Sequence, residues 1–407
     1  MPKEKVIIIE QKKYDTEEIR QKIKGVLRKE IDVNGKSILL KPSFVYPSAD
    51  AVQAITNPRF ILGVVRALNE LGACRVMVGE SHVLGCARYH FARVGANILK
   101  KEAEMRYFDE EKKVKVRVDR PLVNETFTVP KIWKDADMFI TLPKLKTNLF
   151  STVTLSIKNN FGFLRKKDRY KHHDNKLHKY LADLYKVRPP DYAITDAIIA
   201  GEGQGPIESE PVNLGLMVCG KNAIAMDTVC ATLLGIEPKS IEHLRLLHEQ
   251  GFGPIELRDI EVEGDLEGSK RKFKMPEYKM DFPKVRAFIG NEKCCESGCL
   301  GMVQQVLDAY ARHGKTPEMN VIMGKGVKIS EEQLKILKKR KTLVHGDCVA
   351  EYKKYGKFVK GCPPTADWTV FNIWRVTGAG SPYIKTALDA PLLARTYLRH
   401  LFGKVGI

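Results

Sequence analysis

The chain has 407 residues, 43% of them hydrophobic, and its 68 Lys and Arg outnumber 49 Asp and Glu to give a formal charge of +19. That length supports two or three hydrophobic cores. Nine cysteines, an odd number with five of them between positions 294 and 362, argue against a disulfide framework and for a reducing cytoplasm. No run approaches the ~18 apolar residues of a membrane span, and the apolar run Val6–Ile9 is too short for a secretory signal. The positive excess suits a nucleic acid, an anionic membrane face or a phosphate-bearing substrate, and part of it is what heat-adapted proteins carry.

Val6 to Glu10 reads as a first strand, and Thr16 to Glu30 as a helix with Ile19, Ile23, Val26 and Leu27 at helical spacing behind the caps Asp15 or Thr16. A strand from Ser37 to Lys41 runs into Pro42, which has no amide proton for the ladder. A helix from Pro58 to Leu71 follows, with proline in its first turn. The strand Arg75 to Gly79 ends in Glu80-Ser81-His82, and strand ends are where α/β folds place ligand contacts. His82 alone is an ordinary structural histidine. Val114 to Val118 is a polar strand candidate in a stretch that says little.

Met138 to Leu142 is a buried-strand run stopped by Pro143, and it leads into Lys144-Leu145-Lys146-Thr147-Asn148. Leu149, Val153 and Ile157 continue as a helical stripe. Two lysines, a threonine and an asparagine at such a strand-to-helix junction make an anion cradle, because a helix N-terminus adds free amides and positive dipole; the bland counterpart is a capped turn with solvated lysines. From Phe163 to Arg188 nine Lys or Arg face three Asp, with His172, His173 and His178 interleaved. This reads as a solvated excursion, a cover over the site or a polyanion patch. Asp191 to Ala200 is a strand containing Asp196, and Glu202, Gly203 and Gly205 follow in a glycine-rich turn that permits close backbone approach to a ligand. It is not a dinucleotide fingerprint, since no helix starts there. Leu214 to Cys219 and Leu257 to Glu263 read as further strands, with a helix Ala223 to Leu234 carrying Asp227. Pro276 to Pro283 is a polar linker.

Beyond it, four apolar runs, Ala287–Ile289, Val321–Met323, Leu343–His345 and Phe358–Lys360, each stop at a glycine, with helix-period segments at Gly298 to His313 and Ser330 to Lys341. Alternating strand and helix predicts a parallel sheet, whose strand ends share one rim. Cys294 and Cys295 follow the first run, Cys348 the third and Cys362 the fourth, and Cys299 opens the first helical segment. Sulfur ligands converging on one rim select an iron–sulfur cluster or zinc, against the bland role of small buried hydrophobes. Zinc favours paired CxxC knuckles, whereas one close group and two solitary cysteines favour a 4Fe–4S cluster. The expected ligands are Cys295, Cys299, Cys348 and Cys362, with Cys294 the alternative to Cys295. After Pro364, Trp368, Phe371 and Trp374 recur at three-residue spacing before a helix near Ile384 to Leu401. That tail docks on the body of the protein or makes a peripheral contact with a membrane.

The blocks LPKLKTNLFSTVTLSIKNNFGFL (142–164), DAIIAGEGQGP (196–206) and GLMVCGKNAIAMDTVCATLLG (215–235) resemble the archaeal and bacterial family known as domain of unknown function 362, over roughly residues 5–265. That resemblance implies the fold and, since members often occur fused to iron–sulfur modules, fits the cysteine pattern. The stretches GDC and KGCPP also look like the ligand motifs of cluster-binding small subunits in respiratory complexes and hydrogenases. In those subunits both sulfurs of an adjacent cysteine pair bind, which would recruit Cys294 with Cys295 and leave Cys299 outside.

The expectation is an α/β protein: a larger domain with a mostly parallel sheet over 1–275, a small cysteine-containing α/β domain over 284–365, and a helical tail over 366–407. Its function would be that of a cytoplasmic redox enzyme or electron-transfer protein with a protein electron partner. Lys144, Lys146, Thr147 and Asn148 would hold an anionic small molecule, Gly203 and Gly205 would lie close to it, and Glu80, Asp196, Glu202 or Asp227 would donate or accept protons or ligate a metal. If only three cysteines bind, the cluster could instead act as a Lewis acid in a lyase. The alternative is a binding protein with a structural metal site and a basic surface for nucleic acid, which the scarcity of interleaved aromatics disfavours.

Overall fold

Alternation of side chains along a strand lets β1 (Glu4–Glu10) bury both faces: Ile7 packs into one hydrophobic cluster, Val6 and Ile8 into another. β1 is part of the first of two compact units in a computed structural model that describes residues 3–82, 86–337 and 341–380. Over those residues the first unit takes 3–165 and 178–276, and the second 166–177 and 277–380.

The first unit continues with β2 (Ser37–Pro42), β3 (Arg75–Glu80), β4 (Glu104–Tyr107), β5 (Lys113–Arg117), β6 (Thr126–Pro130), β7 (Met138–Leu142), β8 (Lys144–Asn148), β9 (Thr152–Thr154), β10 (Tyr192–Gln204), β11 (Glu208–Gly220) and β12 (Ile260–Glu263). Among the described residues ten of these strands form one sheet, in the order β12-β1-β11-β10-β7-β2-β3-β4, with β8 pairing β10 and β9. The run from β10 through β7, β2 and β3 to β4 is parallel, as is β8 on β10, while β11 is antiparallel to both β1 and β10. Helices Thr16–Glu30 and Pro58–Glu70 cover one face through Ile19, Ile23, Leu27, Phe60, Val64 and Leu68. Helix Ala223–Leu233 covers the other through Ala225, Val229 and Leu233. The Asp15 carboxylate accepts from the amides of Glu17 and Glu18, and so caps the first helix.

Three local expectations change. Leu149 and Val153 are not on a helix: β8 turns back antiparallel into β9, and the helical segment starts only at Ser156. Val153 stands opposite Thr147 across the β8–β9 ladder instead of falling on a helical stripe, so the strand period of 2 governs here in place of 3.6. Second, the glycine-rich stretch is no isolated turn, since β10 runs through Gly201 and Gly203 to Gln204 and pairs with β11 down to Glu208. Third, the basic stretch after Phe163 divides, with 166–177 packing in the second unit and helix Leu177–Val187 beginning the return. Arg169 and His173 are buried, so this segment is no solvated excursion.

In the second unit β13 (Val285–Ile289), β14 (Met319–Met323), β15 (Thr342–His345) and β16 (Lys357–Val359) form an all-parallel sheet in that order. Helix Gly301–Arg312 buries Val303, Val306, Leu307 and Tyr310. Helix Ala366–Thr377 leaves Trp368, Phe371 and Trp374 exposed in a row, with centroids 5.6 Å apart at each step, the first edge-on and the second tilted. The helix expected near Ile384 to Leu401, with the membrane contact attributed to it, lies outside the described residues. Among the described residues no helix is long and apolar enough to cross a membrane.

Candidate functional site

Parallel strands buried on both faces can offer polar groups only at their ends, and the first unit does this at the carboxyl ends of β2, β3, β7 and the middle of β10. Lys41, which closes β2, pairs with Glu80, which closes β3, at 2.5 Å, both almost wholly buried. Asn159 stitches this pair to β7. Its Oδ1 accepts from Lys41 Nζ at 3.2 Å, and its Nδ2 donates to Lys41 O and to Thr141 Oγ1.

Beside it, Lys144 Nζ lies 3.0 Å from Asp196 Oδ2 with neither side chain exposed. The Tyr14 hydroxyl accepts from Lys144 Nζ at 2.7 Å and donates to Asp196 Oδ1 at 3.0 Å. The Asn57 amide donates to Asp196 Oδ2 and the Ile198 amide to Oδ1, so the carboxylate is fully engaged. Burial lowers the Lys144 ammonium from its ordinary range against the opposing pull of Asp196. Burial, then the Asp196 charge, raises Tyr14 far above a normal phenol. Buried pairs of this kind carry little net stability but are costly to break.

The rest of the expected cradle is satisfied by the protein itself. Lys146 Nζ donates to the carbonyls of Ala54 and Pro206 and, among the described residues, faces no carboxylate at hydrogen-bond distance. Burial, followed by the charges of Lys158 and Lys144, pushes it well below the usual lysine range. The Thr147 hydroxyl donates to Gly203 O at 2.9 Å, and Asn148 Oδ1 caps the β8–β9 turn by accepting from Phe150 and Ser151. Gly205 lies against Thr147 so closely that a Cβ would clash with its carbonyl, so this glycine serves chain packing, whereas Gly203 has room beside it and a φ of +77°. Glu202 accepts from the Lys274 amide at 3.0 Å on a different stretch of β10. Asp227, fully buried, accepts from the amides of Ser156 and Ile157, and burial raises its pKa to about 7. Tyr14, Lys41, Asn57 and Asn159 escaped sequence reading. Only Lys41 gave a signal, a charge closing an apolar strand before proline.

In the second unit Cys294 and Cys295 follow β13, Cys348 follows β15 and Cys362 follows β16, all at the carboxyl rim of one parallel sheet. Cys299 sits in the tight turn Glu296–Leu300 that enters helix Gly301–Arg312. Gly346, at φ +105°, precedes Cys348; a Cβ there would stand 3.1 Å from Cys299 Sγ and 3.7 Å from Cys348 Sγ, which places these two sulfurs on one side of the same residue. Burial first, and then the Cys295 and Cys348 thiols, push Cys294 up to about 12. Burial followed by Cys348 raises Cys362, and Cys299 is raised by burial and then by all four of the others. Among the described residues no group of three or more His, Cys, Asp or Glu side chains is arranged to hold a metal ion.

The chain is thus a mixed α/β protein with a large, mostly parallel sheet. Residues 38–232 match the family described as Domain of unknown function (DUF362), a narrower span than the 5–265 expected. The matched span includes Lys41, Glu80, Lys144, Asp196 and Asp227 and none of the five clustered cysteines. The chain is 28% identical over 226 residues to a thylakoid-associated protein of Synechocystis sp., covering 54% of this chain and 70% of that one. Among solved structures, a Thermotoga maritima protein aligns over 91% of this chain and 85% of its own, with TM-score 0.41 and 11% identity. The lactate racemase apoprotein from Thermoanaerobacterium thermosaccharolyticum aligns over 56% and 57%, with TM-score 0.38 and 12% identity. At these scores neither likeness bears on function.

Proposed function

We infer that the chain is an iron–sulfur protein whose second unit holds a 4Fe–4S cluster through Cys295, Cys299, Cys348 and Cys362, with Cys294 as the alternative to Cys295. The observation that carries this reading is the meeting of thiols from β13, β15, β16 and the 296–300 turn at one sheet rim, each influencing the next electrostatically. The donor set is all sulfur, which suits iron–sulfur ligation. A cluster also spreads its ligands over four irons, so they stand farther apart than the ligands of a single ion. When bound, it would take up and release single electrons.

The first unit would then supply an anionic small molecule with its binding and proton chemistry. Lys144 would offer positive charge at the strand-end rim and Lys146, held well below the usual lysine range, an amine donor, while Asp227, with a pKa of about 7, is suited to exchange a proton. An electron-transfer protein would complete the circuit.

The test is anaerobic purification with iron and labile-sulfide analysis and electron paramagnetic resonance after reduction. About four irons and four sulfides per chain are expected. Cys348→Ser, Cys362→Ser and Cys295→Ser should lose them, while Cys294→Ser should keep them. Zinc without labile sulfide would replace the redox reading with a structural metal site. In that case steep salt-dependent binding of a DNA or RNA duplex would favour the nucleic-acid alternative.

A further inference from the structure

Residues 166–177 interrupt the sequence of the first unit yet pack in the second, and they are held there by specific bonds. Lys166 Nζ pairs with Asp367 Oδ2 at 2.9 Å. The Ala366 amide donates to the Tyr170 hydroxyl. His173 and Ser297 bond reciprocally: His173 Nδ1 donates to Ser297 O, and Ser297 Oγ donates to His173 O at 3.2 Å. Because a carbonyl can only accept, this bond requires a proton on His173 Nδ1.

Ser297 lies between Cys295 and Cys299, so His173 holds the turn that presents both thiols. The next residue shows how close the approach is. A Cβ on Gly298 would stand 2.6 Å from His173 O, 2.9 Å from Cys295 Cβ and 3.4 Å from Pro363 Cβ. The inserted segment, the first cysteine turn and the Cys362–Pro363 corner therefore meet at one point, where no side chain fits at Gly298.

We propose that the segment 170–173 is a built-in wall of the cysteine pocket, with His173 a positioning residue that clamps the Cys295–Cys299 turn. This rests on the iron–sulfur reading above.

The test uses the full chain, reconstituted anaerobically, with three readouts: iron and sulfide content, iron release to a chelator, and the electron paramagnetic resonance signal after reduction with dithionite. His173→Ala should release iron several-fold faster and change the resonance signal. His173→Asn, whose amide can donate from nearly the place of Nδ1, should restore both. If the wild type holds a cluster while His173→Ala matches it in signal and iron release, the wall has no such role and the cluster reading stands. If the wild type binds no iron and no labile sulfide, the cluster reading falls, and the wall falls with it.

Discussion

Replacing Asp196 by Asn tests the ion pair at the heart of the first unit. The carboxylate lies 3.0 Å from Lys144 Nζ with neither group exposed, and Tyr14, Asn57 and Ile198 also donate to it. An amide keeps the shape and one acceptor but withdraws the charge that holds the Lys144 proton. Removing one partner of a buried pair costs about 3–5 kcal/mol, or a drop in melting temperature of about 6–20 °C for a unit of this size. Lys144 is already held below its ordinary range by burial, and without Asp196 it falls further. A lysine whose folded pKa lies below the unfolded value makes the unfolded state bind more protons, so stability rises with pH until the unfolded pKa is passed. The deficit of Asp196→Asn should therefore be largest at neutral pH and shrink towards pH ~10.5. Calorimetric melts of wild type and variant across that range measure it. A further variant, Lys144→Met with Asp196→Leu, should recover most of the loss. A deficit under about 1 kcal/mol, the size of an exposed pair, would refute the account.

Three other substitutions follow from the same kind of reasoning. Asp227, with its pKa raised by burial to about 7, contributes stability that is fully present below pH 3.8 and lost as pH rises through about 7; Asp227→Asn should flatten this slope, on the order of 4 kcal/mol end to end, in melts from pH 4 to 8. Lys146→Met removes an amine held low by burial, so relative to the wild type it should gain stability at pH 6 compared with pH 10, and a pH-independent difference would count against that. Gly346→Ala puts a Cβ 3.1 Å from Cys299 Sγ at a φ of +105°, and should lower iron content several-fold by direct assay while leaving the melting of the first unit unchanged.

Much of the fold was legible because the relevant signals are local. Helix Thr16–Glu30 announced itself by spacing and an Asp cap, and the glycines after β13, β14 and β15 marked where buried runs must stop. The β8–β9 hairpin was not legible, because Leu149, Val153 and Ile157 fit a helical period by coincidence and what decides the matter is the pairing of β8 with β10, far away in sequence. The candidate site failed in the same way. Lys144 and Asp196 could each be named from strand ends, but their partner Tyr14 lies in a loop 182 positions from Asp196 and carries no pattern of its own. His173 looked solvated amid nine cations. Its burial comes from packing with a segment more than a hundred residues on.

Both candidate sites obey one constraint. A strand covered on both faces spends its side chains on packing, as Ile38, Leu39 and Leu40 do in β2, so chemistry has to wait for the last residue, Lys41 or Pro42, or for the loop beyond. In the first unit the polar groups at that rim neutralise one another: Lys41 with Glu80, and Lys144 with Asp196 and Tyr14. Binding of an anion there must therefore compete with an internal carboxylate for each ammonium group, which favours a ligand able to displace Glu80 or Asp196 over one that merely adds to them. In the second unit Lys293 is a cation that acts on the thiols, opposing the effect of burial at Cys295 and Cys362. Burial and neighbouring thiols nevertheless keep Cys294, Cys299 and Cys362 protonated, so loading with a metal must release protons and should proceed further at higher pH.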